Sequence, residues 1–508
     1  MKTKIAKKQR LLIFVVAYNA EKTIHWVLSR IPIGLVDDFD AEILVIDDRS
    51  ADDTFEKSEA FANQSENPLK TTILFNKENQ GYGGNQKIGY HYAIKNGFDF
   101  VVLLHGDGQY APEEMPRLLE PLANGEADAV FGSRMLVSGA AIKGGMPLYK
   151  FLGNKILTFS QNALLSTKLS EFHSGYRLYR VKALEQVPFQ LNANDFHFDT
   201  EIIIQLTFAG KSIKELPIPT YYGDEICHVN GVKYAFQVIA SSLKASLQKF
   251  NLLYDRKFDC ISNEENYLPK FDYLSPHSLA VQNVKNGAFV LDVGCAGGYI
   301  AERLNSEKNC RIFGLDVEPV KQKRYFDHFV KCDLDKGLPK QAPKDADTVL
   351  MLDVLEHLSN PEIFLEHLRD HFKFNSNITI FASTGNIAFF VTRFLHLIGM
   401  FNYGKKGILD LTHKRLFTRN TFINLFEQNG FNVQRIEPVP APWKLIFGET
   451  WAGKFLSLLN FWLCRVWPTM FAYQFFLTVK PTPHLDFLLE TAHQTSKFKR
   501  HSSNQKKL

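Results

Sequence analysis

The stretch Val101-Val102-Leu103-Leu104-His105-Gly106-Asp107-Gly108-Gln109 decides how the first half of this 508-residue chain folds. Four consecutive apolar residues predict a buried strand. The strand runs out onto a carboxylate, Asp107, flanked by two other residues able to ligate a metal, His105 and Gln109. Open α/β sheets bind ligands outside the carboxyl ends of their strands. Hard oxygen donors at such an edge suit Mg²⁺ or Mn²⁺, ions commonly shared with substrate phosphates. The stretch therefore reads as a site for a divalent metal and a diphosphate.

Working outward, Leu11–Ala17, Glu42–Asp47 and Ala129–Phe131 are further short apolar runs of strand length. Between the first two, Ile24, Val27, Leu28 and Ile31 recur at i, i+3, i+4, i+7, which predicts one buried helix face. Asn19 is placed to cap that helix. Alternating strands and helices predict a mostly parallel sheet with helices on its faces. Three segments then converge at its carboxyl edge: Ala17-Tyr18-Asn19-Ala20-Glu21, Asp47-Asp48-Arg49-Ser50 and the Asp107 turn. Carboxylates gathered at separate strand ends are costly unless they bind something. Asp48 could accept hydrogen bonds from a base or ribose, and Arg134 could neutralise phosphate charge.

Residues 251–285 are polar and turn-rich and predict a linker between a first domain, 1–250, and a second, 286–480. Strands are expected at Phe289–Val293, Ile312–Leu315, Phe329–Val330, Thr348–Leu352 and Ile378–Phe381, with Phe431–Ile436 and Tyr473–Val479 as a closing pair. Asn360-Pro361 reads as an N-cap with proline at N1, opening a helix that turns Phe364, Leu365, Leu368 and Phe372 inward. The turn Leu291-Asp292-Val293-Gly294-Cys295-Ala296-Gly297-Gly298 follows a strand and precedes a helix pattern, and its small residues let the backbone approach a ligand. Asp316 ends the next strand at the distance where an acid meets ribose hydroxyls. Asp333 follows the third strand, and Asp353-Val354-Leu355-Glu356-His357 follows the fourth.

The net charge of +5 hides an uneven distribution. Residues 1–10 and 497–508 hold ten basic side chains and no acid, leaving 49 basic against 54 acidic residues in the body. Such ends suit either solvated tails or attraction to an anionic membrane surface. No basic patch interleaved with aromatics appears in the body, which argues against nucleic acid. Six cysteines without a CxxC pair exclude a disulfide framework and fit a reducing, cytoplasmic compartment, with peripheral attachment to the inner membrane face as a further expectation. The run Leu11–Ala17 is too short for a signal peptide. Phe455–Val479 is long enough to span a bilayer, but Asn460, Pro468 and Gln474 interrupt it, so an amphipathic, membrane-surface helix followed by a strand is expected, and the tail 481–508 is polar and basic.

Several blocks together carry a resemblance: Val15-Val16-Ala17-Tyr18-Asn19, Val45 to Asp52, Asn79-Gln80-Gly81, Gly106 to Glu113, Gly132-Ser133-Arg134, Ser174-Gly175-Tyr176-Arg177, Phe198-Asp199-Thr200-Glu201 and Lys214 to Ile218. Residues 8–250 resemble family 2 glycosyltransferases of the dolichyl-phosphate mannosyltransferase type. The resemblance implies a GT-A fold, a nucleotide-sugar donor, a divalent metal (Mg or Mn) held by His105, Asp107 and Gln109, inversion at the anomeric carbon, and a glycan or polyprenyl-phosphate acceptor. It implies donor contacts at Ala17, Tyr18, Asn19, Glu21, Asp47, Asp48, Gly106, Asp107, Arg134 and Arg177. The family's first metal-site aspartate is His105 here, and histidine also ligates Mn²⁺. Thr220-Tyr221-Tyr222-Gly223-Asp224-Glu225 lacks the arginine of many lipid-phosphate transferases. Asp199 and Glu201 are the candidate bases for a hydroxyl acceptor; a phosphate acceptor needs none.

Residues 286–480 resemble class I S-adenosylmethionine-dependent methyltransferases, with a Rossmann-like, seven-stranded sheet. The resemblance places Asp292, Gly294, Ala296 and Gly298 near the methionine part, Asp316 on the ribose, Asp333 and Leu334 at the adenine, and Asp353 in the same cofactor site. His357 and His413 are the candidate bases. An NAD enzyme is the competing reading of the glycine turn. The whole chain thus reads as a bifunctional enzyme of bacterial cell-surface glycan or lipid-linked sugar assembly. The alternative is one active half beside a degenerate binding module, with His105 pointing to the first half as the degenerate one. Sugar-nucleotide synthesis is disfavoured because Ala17–Thr23 has no glycine for a phosphate loop.

Overall fold

The computed structural model describes residues 8–64, 68–220, 230–249, 253–260, 271–320, 322–375, 377–443, 450–483, 486, 488–491 and 495. Most of both basic ends, and residues 221–225, lie outside this set. The chain divides into two compact units, Met1–Asn263 and Glu264–Leu508.

The first unit is built on β1 (Gln9–Ala17), β2 (Phe39–Asp47), β3 (Lys70–Phe75), β4 (Phe100–His105), β5 (Ala129–Ser133), β6 (Arg177–Arg180) and β7 (Ile213–Pro217), in the order β3-β2-β1-β4-β6-β5-β7. All neighbours are parallel except β6, which runs antiparallel to β4 and β5. The apolar run of β1 is continuous because both faces are covered. Leu11, Ile13 and Val15 pack with Ile24, Val27 and Leu28 on one side. Leu12 and Phe14 pack with Tyr90, Ile202 and Ile203 on the other. Each such side chain contributes about 1.5–3 kcal/mol by leaving water.

The second unit is built on β8 (Phe289–Val293), β9 (Arg311–Asp316), β10 (His328–Lys331), β11 (Thr348–Leu352), β12 (Thr379–Gly385), β13 (Phe431–Val439) and β14 (Gln474–Pro481), in the order β10-β9-β8-β11-β12-β14-β13. The first five are parallel, and β14 is antiparallel to both β12 and β13. The helix Pro361–His371 follows Asn360 and buries Phe364, Leu365 and Leu368. The helix Pro276–Asn283, opened by a Ser275 capping box, packs Leu279 and Ala280 into this unit's core. In both sheets the strand order reverses beside the first strand, between β1 and β4 and between β8 and β11. Open sheets of this kind bind ligands at the carboxyl edge of that point.

Three details differ from expectation. The first helix runs Ile24–Ser29 with Thr23, not Asn19, at its N-cap. Asn19 instead adopts a left-handed φ of 50° and ties two loops together. Strands β3, β6 and β7 had no clear apolar signature: β3 is partly exposed along its length, β6 is four residues with arginine at each end, and β7 is an edge strand. The aromatic segment begins earlier than its apolar run suggests, as a helix over Trp451–Val466 whose N-cap, Thr450, accepts a hydrogen bond from the Gly453 N–H at 3.2 Å. Among the described residues no helix is long and apolar enough to cross a membrane.

The helix Tyr82–Lys95 lies so close to β1 that a Cβ on Gly89 would fall 2.2 Å from the Phe14 ring. Gly89→Ala should therefore destabilise the first unit by about 1–3 kcal/mol through overpacking, despite alanine's better helix propensity. Chemical denaturation monitored by circular dichroism checks this; a gain in stability would contradict the packing.

Candidate functional site

The parallel register of β1, β2 and β4 carries their following loops to one edge, where hydrogen bonds lock them together. Asn19 N–H donates to Ser50 Oγ at 2.8 Å, and Ala51 N–H donates to Asn19 Oδ1 at 3.0 Å. Glu21 N–H donates to Asp52 Oδ2 at 3.1 Å, and Thr23 Oγ1 donates to the Gly106 carbonyl at 2.7 Å. Tyr18 is half exposed at this edge. Asp47 accepts from Ser50 N–H at 2.7 Å through Oδ1, while its buried Oδ2 has no partner and burial pushes the carboxyl above its ordinary range. Asp48 uses Oδ1 to accept from Asn76 Nδ2 and Gln80 N–H, both at 2.8 Å.

Asp107 is the exposed carboxylate of the edge. Its Oδ1 accepts from Gln109 N–H at 2.9 Å, and its Oδ2 lies 3.9 Å from His105 Nδ1. His105 is held from behind: Tyr82 Oη is 3.1 Å from its Nε2 and donates to Asp199 Oδ2 at 3.0 Å. A carboxylate only accepts, so the tyrosine proton points at Asp199 and the tyrosine oxygen accepts from His105 Nε2–H. Burial keeps the imidazole below its usual pKa, which favours the neutral ring. Nδ1 then carries the lone pair beside Asp107. Gly175 leaves the room for this ring, since a Cβ there would come within 2.5 Å of it. Tyr82 and Gly175 had no role in the sequence reading. Tyr82 follows Asn79-Gln80-Gly81 directly and Gly175 lies within the Ser174–Arg177 block, but only the fold brings both against His105.

Other residues singled out in the sequence are placed differently. Arg134 is buried against Glu171, donating from its backbone N–H at 2.8 Å and from Nε at 3.1 Å, and Nη2 also reaches the His173 carbonyl at 3.0 Å. Arg177 bolts β6 in place through the carbonyls of Ser174, Phe172 and Asp199 at 2.8–2.9 Å. Asp199 is held by Tyr82 and by Gln86 Nε2 at 3.2 Å. Glu201, two residues further along the same helix and so on its opposite side, is buried in another network, accepting from Ala193 N–H at 2.7 Å, Ser241 Oγ at 3.0 Å and Lys257 Nζ at 2.5 Å. None of these four presents an uncommitted charge to the edge. Among the described residues no group of three or more His, Cys, Asp or Glu is arranged to hold a metal. A divalent ion here would rest on His105, Asp107 and Gln109, with its remaining ligands from a bound diphosphate or water.

The second site is a cavity of about 380 Å³ at the carboxyl edge of the other sheet. Asp292, Gly294, Ala296, Asp316, Asp333, Leu334, Asp353 and His357 all line it, together with Cys332, Tyr299 and Lys414, which had no signal in the sequence. Asp316 joins the strand ends: Oδ2 accepts from Ala296 N–H at 2.7 Å and Oδ1 from Glu318 N–H at 2.9 Å. Ala296 takes a left-handed φ of 45°, a conformation that costs about 1–2 kcal/mol without glycine. Gly298, at φ 85°, opens the following helix. Asp353 accepts from Gln474 Nε2 of β14 at 2.9 and 3.0 Å and from Ser383 Oγ at 2.6 Å. Beside it, burial and the Asp353 charge push Glu356 up to about 8.

Asp292 is fully buried, its Oδ2 has no partner, and burial with the nearby Asp316 charge pushes it up to about 7. An orphaned acceptor among several carboxylates fits a ligand bearing positive charge and N–H donors, as the amino and sulfonium groups of S-adenosylmethionine do. His357 and His413 meet edge to face at 4.8 Å. Thr412 Oγ1 donates to Asp410 Oδ1 at 2.6 Å and lies 3.1 Å from His357 Nδ1, so His357 Nδ1–H donates to it and Nε2 keeps a lone pair. His413 Nδ1 is occupied by the Ile408 carbonyl at 2.9 Å, and His413 does not line the cavity.

Comparisons with known proteins match two separate stretches of the chain. Residues 12–187 match the glycosyl transferase family 2 model, and residues 266–436 match a methyltransferase domain model. The chain therefore carries a family 2 glycosyltransferase domain followed by a methyltransferase domain, and both are transferase domains. An undecaprenyl-phosphate mannosyltransferase of Micrococcus luteus is 27% identical over 210 residues, 41% of this chain and 82% of its own. A UDP-N-acetylglucosamine–dolichyl-phosphate N-acetylglucosaminyltransferase of Methanococcus voltae is 28% identical over 221 residues, 42% of this chain and 86% of its own. A polyprenol monophosphomannose synthase of Mycolicibacterium smegmatis is 26% identical, covering 41% and 77%.

The titration of Asp292 gives the second cavity a pH signature. A cationic ligand needs the carboxylate, so affinity for S-adenosylmethionine should fall as pH drops below about 7, by at most tenfold per unit, and level off above it. Asp292→Asn should flatten the profile. Calorimetry across this range checks it; a pH-independent wild-type affinity would contradict the assignment.

Proposed function

We propose that the first unit transfers a sugar, with inversion, from a nucleotide-sugar donor to a polyprenyl-phosphate acceptor, and that the second transfers a methyl group from S-adenosylmethionine. The observation that carries the reading is the pair of switch points, each with carboxylates at the ends of adjacent parallel strands. In the first, the loops Ala17–Glu21 and Asp47–Asp52 receive the base and ribose, and Gly106 and Asp107 face the diphosphate. Asp107, His105 and Gln109 would hold a divalent ion, which would neutralise charge on the leaving diphosphate. His105 is oriented for this by Tyr82 and Asp199, and Arg134 and Arg177 shape the site without lending it free charge.

A phosphate acceptor is favoured over a glycan hydroxyl by one feature. Asp199 and Glu201, the two acids available as bases, are both committed to buried hydrogen bonds. An ionised phosphate attacks without a base. The curated relatives named above are consistent with this, being polyprenyl-phosphate glycosyltransferases by name. The setting that suits such chemistry is lipid-linked sugar assembly at the cytoplasmic face of a bacterial inner membrane.

In the second unit the backbone of Gly294–Gly298 with Asp292 receives the methionine end, Asp316 the ribose, and Asp333 with Leu334 the adenine. Asp353 braces the floor through Gln474 and Ser383. Methyl transfer depends chiefly on alignment of donor and acceptor. His357, which lines the cavity and is oriented by Thr412, is the base for a hydroxyl acceptor; His413 packs against it edge to face.

Asp107→Asn should abolish metal-dependent sugar transfer and leave S-adenosylmethionine binding unchanged, since the sites lie in separate units. Radiolabelled transfer to short-chain polyprenyl phosphate, beside calorimetry on the same protein, measures both; full transfer by the variant removes the assignment. Asp316→Ala should weaken S-adenosylmethionine binding by about 1.5–3 kcal/mol, the worth of a charge-assisted hydrogen bond. An unaltered dissociation constant would place the ribose elsewhere.

A further inference from the structure

The helix Trp451–Val466 is amphipathic the wrong way round for a soluble protein. Its inward face carries small and polar residues, Gly453, Asn460 and Cys464. Asn460 spends its side chain on the backbone, accepting from Ala441 N–H at 2.8 Å and donating to the Phe471 carbonyl at 3.0 Å, and Cys464 Sγ meets the same carbonyl at 2.9 Å. Its outward face carries the bulk: Trp451 is 81% exposed, Phe455 56% and Trp462 57%, with Leu458, Leu459 and Val466 also exposed. Positions 451, 455, 458, 462 and 466 follow i, i+4, i+7, i+11, i+15, a continuous stripe along one side of a helix. Surface helices of soluble domains ordinarily turn such a stripe inward.

The stripe has an extension. Trp467 is exposed and its ring lies 6.3 Å from Phe471, which lies 5.6 Å from Phe390. Phe390 opens the helix Phe390–Leu397, whose Phe394 and Leu397 are exposed, as is Ile398 just after it. Within two stretches bounded by Asp410 and Glu449 the charges have one sign. From Thr384 to Leu409 the chain has Arg393, Lys405 and Lys406 and no acid. From Thr450 to Pro481 it has Lys454, Arg465 and Lys480 and no acid. Arg465 lies over the rings of Phe461 and Trp462, 4.1 and 5.8 Å from their centres. Tryptophan-rich apolar stripes edged by basic residues are the composition of helices that lie in the headgroup region of an anionic bilayer.

We infer that this face of the second unit, the helix Trp451–Val466 with the adjoining helix Phe390–Leu397, docks on an anionic lipid surface. The helix lies parallel to the membrane plane. Trp451, Phe455, Leu458 and Trp462 enter the acyl boundary, while the basic residues meet the headgroups. The inference depends on neither transfer reaction: it concerns a surface remote in role from the carboxylate-lined cavity, and it holds whatever group is methylated. Its consequence is that the methyltransferase unit works on a substrate presented at a membrane face.

The test is flotation of the full chain with phosphatidylcholine vesicles with and without phosphatidylglycerol. The wild type should float with the anionic vesicles, less so at high salt, and stay behind with the neutral ones. The double variant Phe455→Ser, Trp462→Ser should lose about tenfold or more of its bound fraction, because two buried aromatic side chains are removed from the contact. Both side chains are exposed, so the thermal melt should be unchanged, which separates lost docking from lost folding. Flotation of the double variant equal to wild type overturns the inference, whether the chain is then held by another surface, such as the exposed Ile156 and Phe159 on the helix Leu148–Leu165, or not. A wild type that ignores anionic vesicles overturns it too. So does a wild-type dimer in sedimentation without lipid that the double variant dissociates, since a second copy would then cover the face.

Discussion

Parallel strands that part company at a switch point govern both halves of this protein. Neighbouring strands of one direction bring their last residues to one edge, and the reversal of strand order beside β1 and beside β8 keeps the following loops from closing over it. A crevice results, and the backbone N–H groups around it are satisfied largely by the same acids that line it. Asp47, Asp52, Asp107 and Asp316 each accept hydrogen bonds from loop N–H groups. These carboxylates are thus part of the loop scaffold before any ligand arrives, while Asp47 Oδ2 and the Oδ2 of a further acid, Asp292, are buried without a hydrogen-bond partner.

In the first site His105 is held from behind. Histidine in place of a carboxylate removes one negative charge, yet the chain Asp199–Tyr82–His105 fixes which ring nitrogen keeps its lone pair. The result is an imidazole nitrogen lone pair next to the carboxylate of Asp107. Asp199 is thereby a positioning residue, and Arg177, bonded to the Asp199 carbonyl, holds it in turn. Arg134 and Glu171 form a separate buried pair whose worth is geometric. Removing one partner would strand the other, whereas the pair itself adds little net stability.

Much of this was legible in the sequence, for definite reasons. Strands buried on both faces, such as β1, β4 and β11, leave uninterrupted apolar runs, and the acids that end them stand out against those runs. The cavity-lining residues from Asp292 to Asp353 were legible because they follow successive strands in order. What the sequence could not show is where a charged side chain spends its charge. Arg134, Arg177 and Glu201 were singled out by type and motif, but their partners, Glu171, the Phe172 and Ser174 carbonyls, and Lys257, are brought up by other elements. Tyr82, Gly175 and Lys414 act only through contacts that the fold creates. The helix Trp451–Val466 was read as amphipathic from composition, yet only the structure shows that Asn460 and Cys464 face in while Trp451, Phe455 and Trp462 face out.

The central claim is that one chain holds two independent ligand sites of different chemistry. Native mass spectrometry of the full chain, given Mn²⁺, a set of nucleotide sugars and S-adenosylmethionine, tests it most directly. The account requires one nucleotide sugar and one S-adenosylmethionine bound together on a single chain, each without displacing the other. Mutual displacement, or binding of neither class under any combination, would contradict it.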